Sequence, residues 1–329
     1  MPKLGILGTM VWDRIFARDG RAQPVEEWGG ISYALAAASA ARGPGWELLP
    51  LLKVGRDFEE RGFAFLRSLP GLDLETGVRT VAEPNNRVEL VYRDHERRSE
   101  RLEGGVPGWT FAELEPVLPS LDALYVNFIS GFELDLATAV RLRQSFAGPI
   151  YADLHSIFLG VDAQGYRTPG PLDAWREWLR CFDIVQVNDD ELGMLADAWG
   201  DPWRFAAEVV GDELRLLFVT LGERGAAYIA GPNLEPDPMR WRQPGLVRAR
   251  PLAWVAGPAR TERIELAGGA RAGDPTGCGD VWGATCFLRL LAGDSLRVAV
   301  LAANTAAVRN VGHLGASGLH HHLLGRLGP

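Results

Sequence analysis

The stretch Gly273-Asp274-Pro275-Thr276-Gly277-Cys278-Gly279-Asp280-Val281-Trp282-Gly283-Ala284 combines turn-forming residues, a carboxylate and the start of an apolar run. Val281, Ala284, Phe287, Leu288 and Leu291 recur near the i, i+3, i+4, i+7 spacing of one buried helix face. Asp280 then falls in the first turn, where the helix dipole favours negative charge. Gly277 and Gly279 allow close backbone approach and leave N–H groups turned outward. A helix start of this kind binds anions, and an acid beside it can act as a general base. A plain strand-to-helix loop with an ordinary first-turn acid has the same local pattern.

The elements that must position this loop are legible upstream. Leu4 to Leu7 reads as a short buried strand ending at Gly8, with Asp13 just past it. Gly29-Gly30 leads into an Ala-rich helix over Leu35 to Ala41. Leu48 to Asp57 reads as a strand and turn, and Phe58 to Leu69 as an amphipathic helix with Asp57 as its N-cap. Val88, Leu90 and Tyr92 alternate with Arg87, Glu89, Val91 and Arg93, a strand with one apolar face. Asp94-His95-Glu96 makes a turn, and Arg97 to Leu102 a returning polar strand; the ribbon reads equally as a lid or as a surface hairpin.

From Leu121 strand–helix units repeat. Runs at 123–127, 150–154, 184–187 and 216–220 alternate with helical segments such as Leu134 to Phe146. This order predicts an α/β fold with a mainly parallel sheet and right-handed crossovers. Ligands of such sheets bind at strand C-termini. Asp153, Asn188, Glu191, Thr220 and Gly222 all fall there. Met239 to Arg263 reads as irregular strands and turns, and Ser295 as the cap of a helix over Leu296 to Val308.

At 329 residues the chain is long for an average domain but ordinary for one large α/β sheet. With 47% hydrophobic and 23% charged residues it is a soluble globular composition. A formal charge of -8 argues against a nucleic-acid-binding surface. The three scattered cysteines make no disulfide framework, and no Cys/His spacing suggests zinc. No apolar run reaches membrane-spanning length, and the N-terminus enters structure at once, so a cytoplasmic protein is expected. His320-His321-His322 has the composition of a metal-binding tract but reads rather as a solvated tail feature.

Asp274 to Asp280 resembles the C-terminal signature of the ribokinase-like (PfkB) carbohydrate kinases, usually Asp-Thr-x-Gly-Ala-Gly-Asp. Pro275 replaces the Thr and Cys278 the Ala. Further blocks in family order carry the resemblance from Leu4 to Gly315: Gly29-Gly30, the Val54-Gly55-Arg56-Asp57 turn, Asn188-x-x-Glu191 and Thr220-x-Gly222-x-x-Gly225. The resemblance implies a single domain over 1–329, a three-layer α/β/α with a small β lid from segments near 10–28 and 80–106. It implies transfer of the γ-phosphoryl group of ATP to a hydroxymethyl of a sugar or nucleoside. Asp280 would be the base, with the amides of Gly277, Cys278 and Gly279 as the anion hole. Asp13, Gly29, Gly30 and Asp153 would bind substrate; Thr220, Gly222, Gly225 and Asn304 would bind nucleotide. Asn188 and Glu191 would hold Mg2+, mostly through water, although a dipole-favouring acidic cluster has the same pattern. Asp274 and Thr276, with the Gly312–Ala316 loop, would hold a monovalent cation such as K+. The lid implies a homodimer. Ala34 stands where many members carry Asn, which leaves the acceptor open. The rival to turnover is a silent relative that senses a metabolite. A nicotinamide dehydrogenase lacks its Gly-x-Gly-x-x-Gly after the first strand, and a P-loop kinase its Gly-Lys-Ser/Thr run.

Overall fold

Leu4 and Ile6 pack to one side of the first strand and Leu7 to the other. The same two-sided alternation recurs in every central strand, for example Ala123 and Tyr125 against Leu124 and Val126. Strands apolar on both faces must be covered on both faces, which gives two cores and three layers. The computed structural model describes residues 1–16, 24–43, 45–92, 98–231, 233–241, 258–269 and 271–325.

The strands are β1 (Lys3–Leu7), β2 (Met10–Phe16), β3 (Val25–Gly30), β4 (Glu47–Gly55), β5 (Val78–Val81), β6 (Arg87–Tyr92) and β7 (Arg98–Glu103). They continue with β8 (Ala123–Asn127), β9 (Ile150–Asp153), β10 (Leu159–Val161), β11 (Arg167–Pro169), β12 (Ile184–Asn188), β13 (Leu216–Thr220), β14 (Ala226–Ala230) and β15 (Arg260–Ile264). Among the described residues, nine of them form one sheet in the order β15-β14-β13-β12-β9-β8-β1-β4-β5. Its pairs are parallel except β13–β14 and β14–β15. Arg260, Thr261 and Arg263 leave the β15 edge charged and polar, which discourages further strand pairing.

The helices are α1 (Ile31–Ala41), α2 (Glu59–Ser68), α3 (Phe111–Leu114), α4 (Leu136–Ser145), α5 (Trp175–Arg180), α6 (Asp189–Leu195), α7 (Pro202–Asp212), α8 (Cys278–Leu291), α9 (Leu296–Asn310) and α10 (Leu319–Leu323). Residues of α1, α2, α8, α9 and α10 join the core on one sheet face, and those of α3 to α7 the core on the other. A second, four-stranded sheet has the order β3-β2-β6-β7 and leaves the main sheet directly after β1. A buried asparagine, Asn85, ties the sheets together. Asn85 Oδ1 accepts from Gly55 N, and its Nδ2 donates to Met10 O. Asn86 Oδ1 accepts from Val106 N.

Several local expectations need correction. Asp13 lies within β2, not in a turn past β1. The helix expected from Leu35 starts at Ile31. Asp57 caps nothing: its carboxylate accepts from Asn85 N at 2.8 Å and Arg87 Nη2 at 2.5 Å, binding the start of α2 to β6 instead. Of the segment 239–263, read as irregular strands and turns, the described part does hold a strand, β15 from Arg260, and residues 242–257 lie outside the described residues. So do 17–23 of the first expected lid segment and the turn at 94–96. The three histidines form no solvated tail. They belong to α10, with His320 buried and His322 Nε2 bonded to Arg309 O at 3.0 Å.

Candidate active site

Gly277 is the N-cap of α8 in the left-handed region, φ 74°. A Cβ there would sit 2.3 Å from the Tyr33 ring, so glycine lets the loop rest on the first turn of α1. Asp280 occupies the first turn of α8, and Asn127 Nδ2, at the tip of β8, donates to its Oδ1 at 2.7 Å. The opposite end of that amide, Asn127 Oδ1, is buried without a hydrogen-bond partner. Beneath this turn lies an aromatic floor. Phe287 meets Tyr151 at 5.2 Å between ring centroids, and Trp282 meets Phe218 at 5.2 Å. Such pairs contribute ~0.5–1.5 kcal/mol each beyond their burial, and they fix α8 against β9 and β13.

Gln186 joins the next two groups. Its Nε2 donates to Asp153 Oδ2 at 2.8 Å and to Gly279 O at 3.1 Å, and its Oε1 accepts from Tyr151 Oη at 2.7 Å. Gly283 permits this approach, because a Cβ there would lie 2.4 Å from Gln186 Oε1. Asp153 ends β9 and is buried. Burial first, then the charges of Asp280 and Glu191, push its carboxyl up to about 8, with partial relief from His155. At neutral pH it therefore keeps a proton.

Asn188 and Glu191 form a capping box at α6: Glu191 Oε2 accepts from Asn188 N, and Glu191 N donates to Asn188 Oδ1, both at 2.8 Å. Glu191 Oε1 also meets Asn188 Nδ2 at 2.7 Å and His155 Nδ1 at 2.6 Å. The pair is oxygen-rich, as Mg2+ requires, but every one of these atoms already has a protein partner. The arrangement fits contact through metal-bound water and not direct ligation. Among the described residues no group of three or more His, Cys, Asp or Glu side chains is placed to hold a metal ion.

Thr220 ends β13 beside Asn188 in register, and Gly222 and Gly225 follow with φ 57° and 88°. Gly225 has a structural reason as well, since a Cβ would lie 2.1 Å from Ile264 O. Asp13 and Gly29 meet across β2 and β3: a Cβ on Gly29 would lie 1.8 Å from Asp13 Oδ2. Gly30, φ 58°, turns the chain into α1. Two residues on, Ser32 Oγ is fully buried without a hydrogen-bond partner.

Other expected groups are engaged inside the fold. The Cys278 N–H donates to Pro275 O at 3.1 Å within the loop, which leaves Gly277 and Gly279 as the amides for an anion. Burial pushes the Cys278 thiol up to about 11, so it is no thiolate at neutral pH. Asn304 is buried, with Oδ1 accepting from Trp282 Nε1 at 2.8 Å and Nδ2 donating to Ile264 O at 3.1 Å. Its amide is a strut between α8, α9 and β15. Asp274 Oδ1 accepts from Thr276 N and Oγ1 at 2.9 and 2.6 Å, and Thr276 O accepts from Asn310 Nδ2 at 2.8 Å. Asp274 N donates to Val311 O at 3.0 Å, so the 273–276 loop does adjoin the terminal one.

The residues missed from sequence are Asn127, Gln186 and His155. Gln186 carries a signal: it is the lone polar residue in the apolar run Ile184-Val185-Gln186-Val187. Asn127 and His155 carry none beyond their place at strand ends.

No protein-family model and no curated protein matches the chain. Solved structures do match over nearly its whole length. A pyrophosphate-dependent kinase in the ribokinase family is 16% identical, covering 97% of this chain and 99% of its own, at TM-score 0.73. The adenosine kinase of Sinorhizobium meliloti is 18% identical, covering 98% and 97%, at TM-score 0.70. Arabidopsis thaliana ribokinase, solved with ribose and ATP, is 17% identical, covering 98% and 98%, at TM-score 0.69. With its three layers, its sheet order and these superpositions, the chain has the ribokinase-like fold.

Proposed function

We propose that the protein is a PfkB-type kinase that transfers the γ-phosphoryl group of ATP to a hydroxymethyl of a sugar or nucleoside. One observation carries this reading: Asp280 stands in the first turn of α8, held by Asn127 at 2.7 Å, beside outward N–H groups at the helix start. Asp280 takes the hydroxyl proton as the oxygen attacks phosphorus. The Gly277 and Gly279 amides stabilise charge on the phosphoryl oxygens, usually the dominant contribution in this chemistry. Asp153, neutral at pH 7 and adjoining Gly279, donates a hydrogen bond to an acceptor hydroxyl instead of competing with Asp280 for its proton. Asp13, Gly29 and Gly30 bound the acceptor side, and Thr220 with the 222–225 turn bounds the phosphate side. Mg2+, held through water near Asn188 and Glu191, would offset phosphate charge. A monovalent cation such as K+ near Asp274 would support the loop. The four-stranded sheet acts as a lid that excludes water, and two copies pair through it.

The solved relatives support the reading, since the Arabidopsis thaliana structure is described with ribose and ATP. The rival, a metabolite sensor without turnover, is favoured by the closed capping box of Glu191. A coupled ADP-release assay across sugars and nucleosides separates the two. The wild type turns over at least one acceptor; Asp280→Asn loses turnover and still binds ATP. Retained turnover in that variant removes Asp280 as the base.

A further inference from the structure

On the sheet face that carries α8, an open groove of about 470 Å3 runs between α1, α8, α9 and α10. Its walls differ from the rest of an acidic chain. Three arginines, Arg42, Arg289 and Arg309, line it, and among the described residues no acidic residue does. Arg289 is paired with Asp294 at 2.5 Å. Arg42 and Arg309 meet only backbone carbonyls in the described structure: Arg42 Nη1 approaches Trp46 O at 3.5 Å and Arg309 Nη1 meets Leu323 O at 2.6 Å. The chain has a formal charge of -8, so the two arginines here that have no carboxylate partner in the described structure, Arg42 and Arg309, are against its trend. Like charges in one groove repel unless an anion joins them. Guanidinium forks suit phosphate oxygens in particular. Small, part-exposed side chains such as Ala40 and Ala306 also line the groove, and the volume is that of a small-molecule site.

The geometry points to a second anion site here, separate from the cleft at the strand tips, for a small organic phosphate monoester. The phosphate lies among Arg42, Arg289 and Arg309, and the organic body lies on the alanine methyls. The site shares a helix with the first one. Thr285 and Arg289 line the groove on α8, ~7.5 and ~13.5 Å beyond Asp280 at ~1.5 Å per helical residue. This inference is independent of the proposed kinase activity.

The test is calorimetric titration of the full chain with phenyl phosphate and, separately, with inorganic phosphate. Phenyl phosphate has the apolar body and the dianion, and it is not a product of the proposed transfer. Wild type is expected to bind phenyl phosphate at least tenfold more tightly than inorganic phosphate. The Arg42→Gln/Arg309→Gln double variant is expected to lose at least tenfold of that affinity while keeping the wild-type unfolding temperature. Thr305→Glu places a negative charge at an exposed position on the groove wall, and it weakens binding if the double variant does not fold. Wild-type affinity in the double variant or, where that does not fold, in Thr305→Glu overturns the site. Equal affinity for the two anions overturns the assignment to an organic ester.

Discussion

Gly277→Ala tests whether the loop before α8 is held by steric fit to α1. The new Cβ would lie 2.3, 2.4 and 2.6 Å from ring atoms of Tyr33, where ordinary contacts exceed 3.4 Å. Tyr33 is only 1% exposed, so its ring cannot swing into solvent. Overpacking of this degree costs ~1–3 kcal/mol. The left-handed φ of 74° adds ~1–2 kcal/mol for any residue with a Cβ. The total, ~2–5 kcal/mol, is a large share of a typical stability of ~5–15 kcal/mol. The two parts separate in a double-mutant cycle. Tyr33→Ala alone costs ~3–5 kcal/mol as a large-to-small change. In that background Gly277→Ala should cost only its backbone part, because the ring is gone. A coupling of ~1–3 kcal/mol is therefore expected from urea midpoints at constant slope. Additivity within ~0.5 kcal/mol would refute the contact.

Three further outcomes are expected. For Asp153, the folded carboxyl titrates at about 8 while an unfolded one titrates near ~3.9, so its contribution is complete below ~4 and lost as pH rises to 8. Asp153→Asn should therefore flatten the fall in thermal midpoint between pH 5 and 8.5; parallel curves for variant and wild type would exclude this group. Asn127→Ala removes the donor to Asp280, a charged hydrogen bond of ~1.5–3 kcal/mol, so kcat should fall ~10–100-fold with the KM for ATP unchanged. The acidic limb of its rate profile should move to higher pH, and an unmoved limb would make Asn127 merely structural. Glu133 is buried and accepts from Thr9 Oγ1, Ile129 N, Ser130 N and Gly131 N, so Glu133→Gln should destabilise by ~1–3 kcal/mol in urea unfolding.

The parallel core was legible because its strands are apolar on both faces and short, and because helix periodicity separates them. Leu216 to Thr220 shows this: five residues, alternating between two cores, then a glycine turn. Asp280 was legible because a first-turn acid after glycines has few other placements. What the sequence hid was the engagement of polar side chains by distant partners. Asp57 has the residue type of an N-cap, yet Asn85 and Arg87, 28 and 30 positions away, claim its carboxylate. Asn304 has a donor and an acceptor for a base, yet Trp282 and β15 use both. Local spacing reports which groups a turn can present; it cannot report which of them a long-range hydrogen bond has already taken.

The same distinction bears on how the site is built. Asp280, Gly279 and Asp153 come from α8 and β9, and neither element contains the group that aligns them. Gln186 does, from β12, with one amide nitrogen bonded to both Asp153 and the Gly279 carbonyl. Tyr151 bonds the other end of that amide. The Gly279 carbonyl fixes which way round this amide sits, because reversing it would set acceptor against acceptor there, whereas the Tyr151 hydroxyl can bond either end. The start of α8 is thereby set at one height above the sheet, and with it the position of the carboxylate one residue on. The aromatic floor supplies adhesion between α8 and the sheet; the single glutamine supplies register. Precision at this site thus depends on one polar side chain placed in a strand that is otherwise apolar.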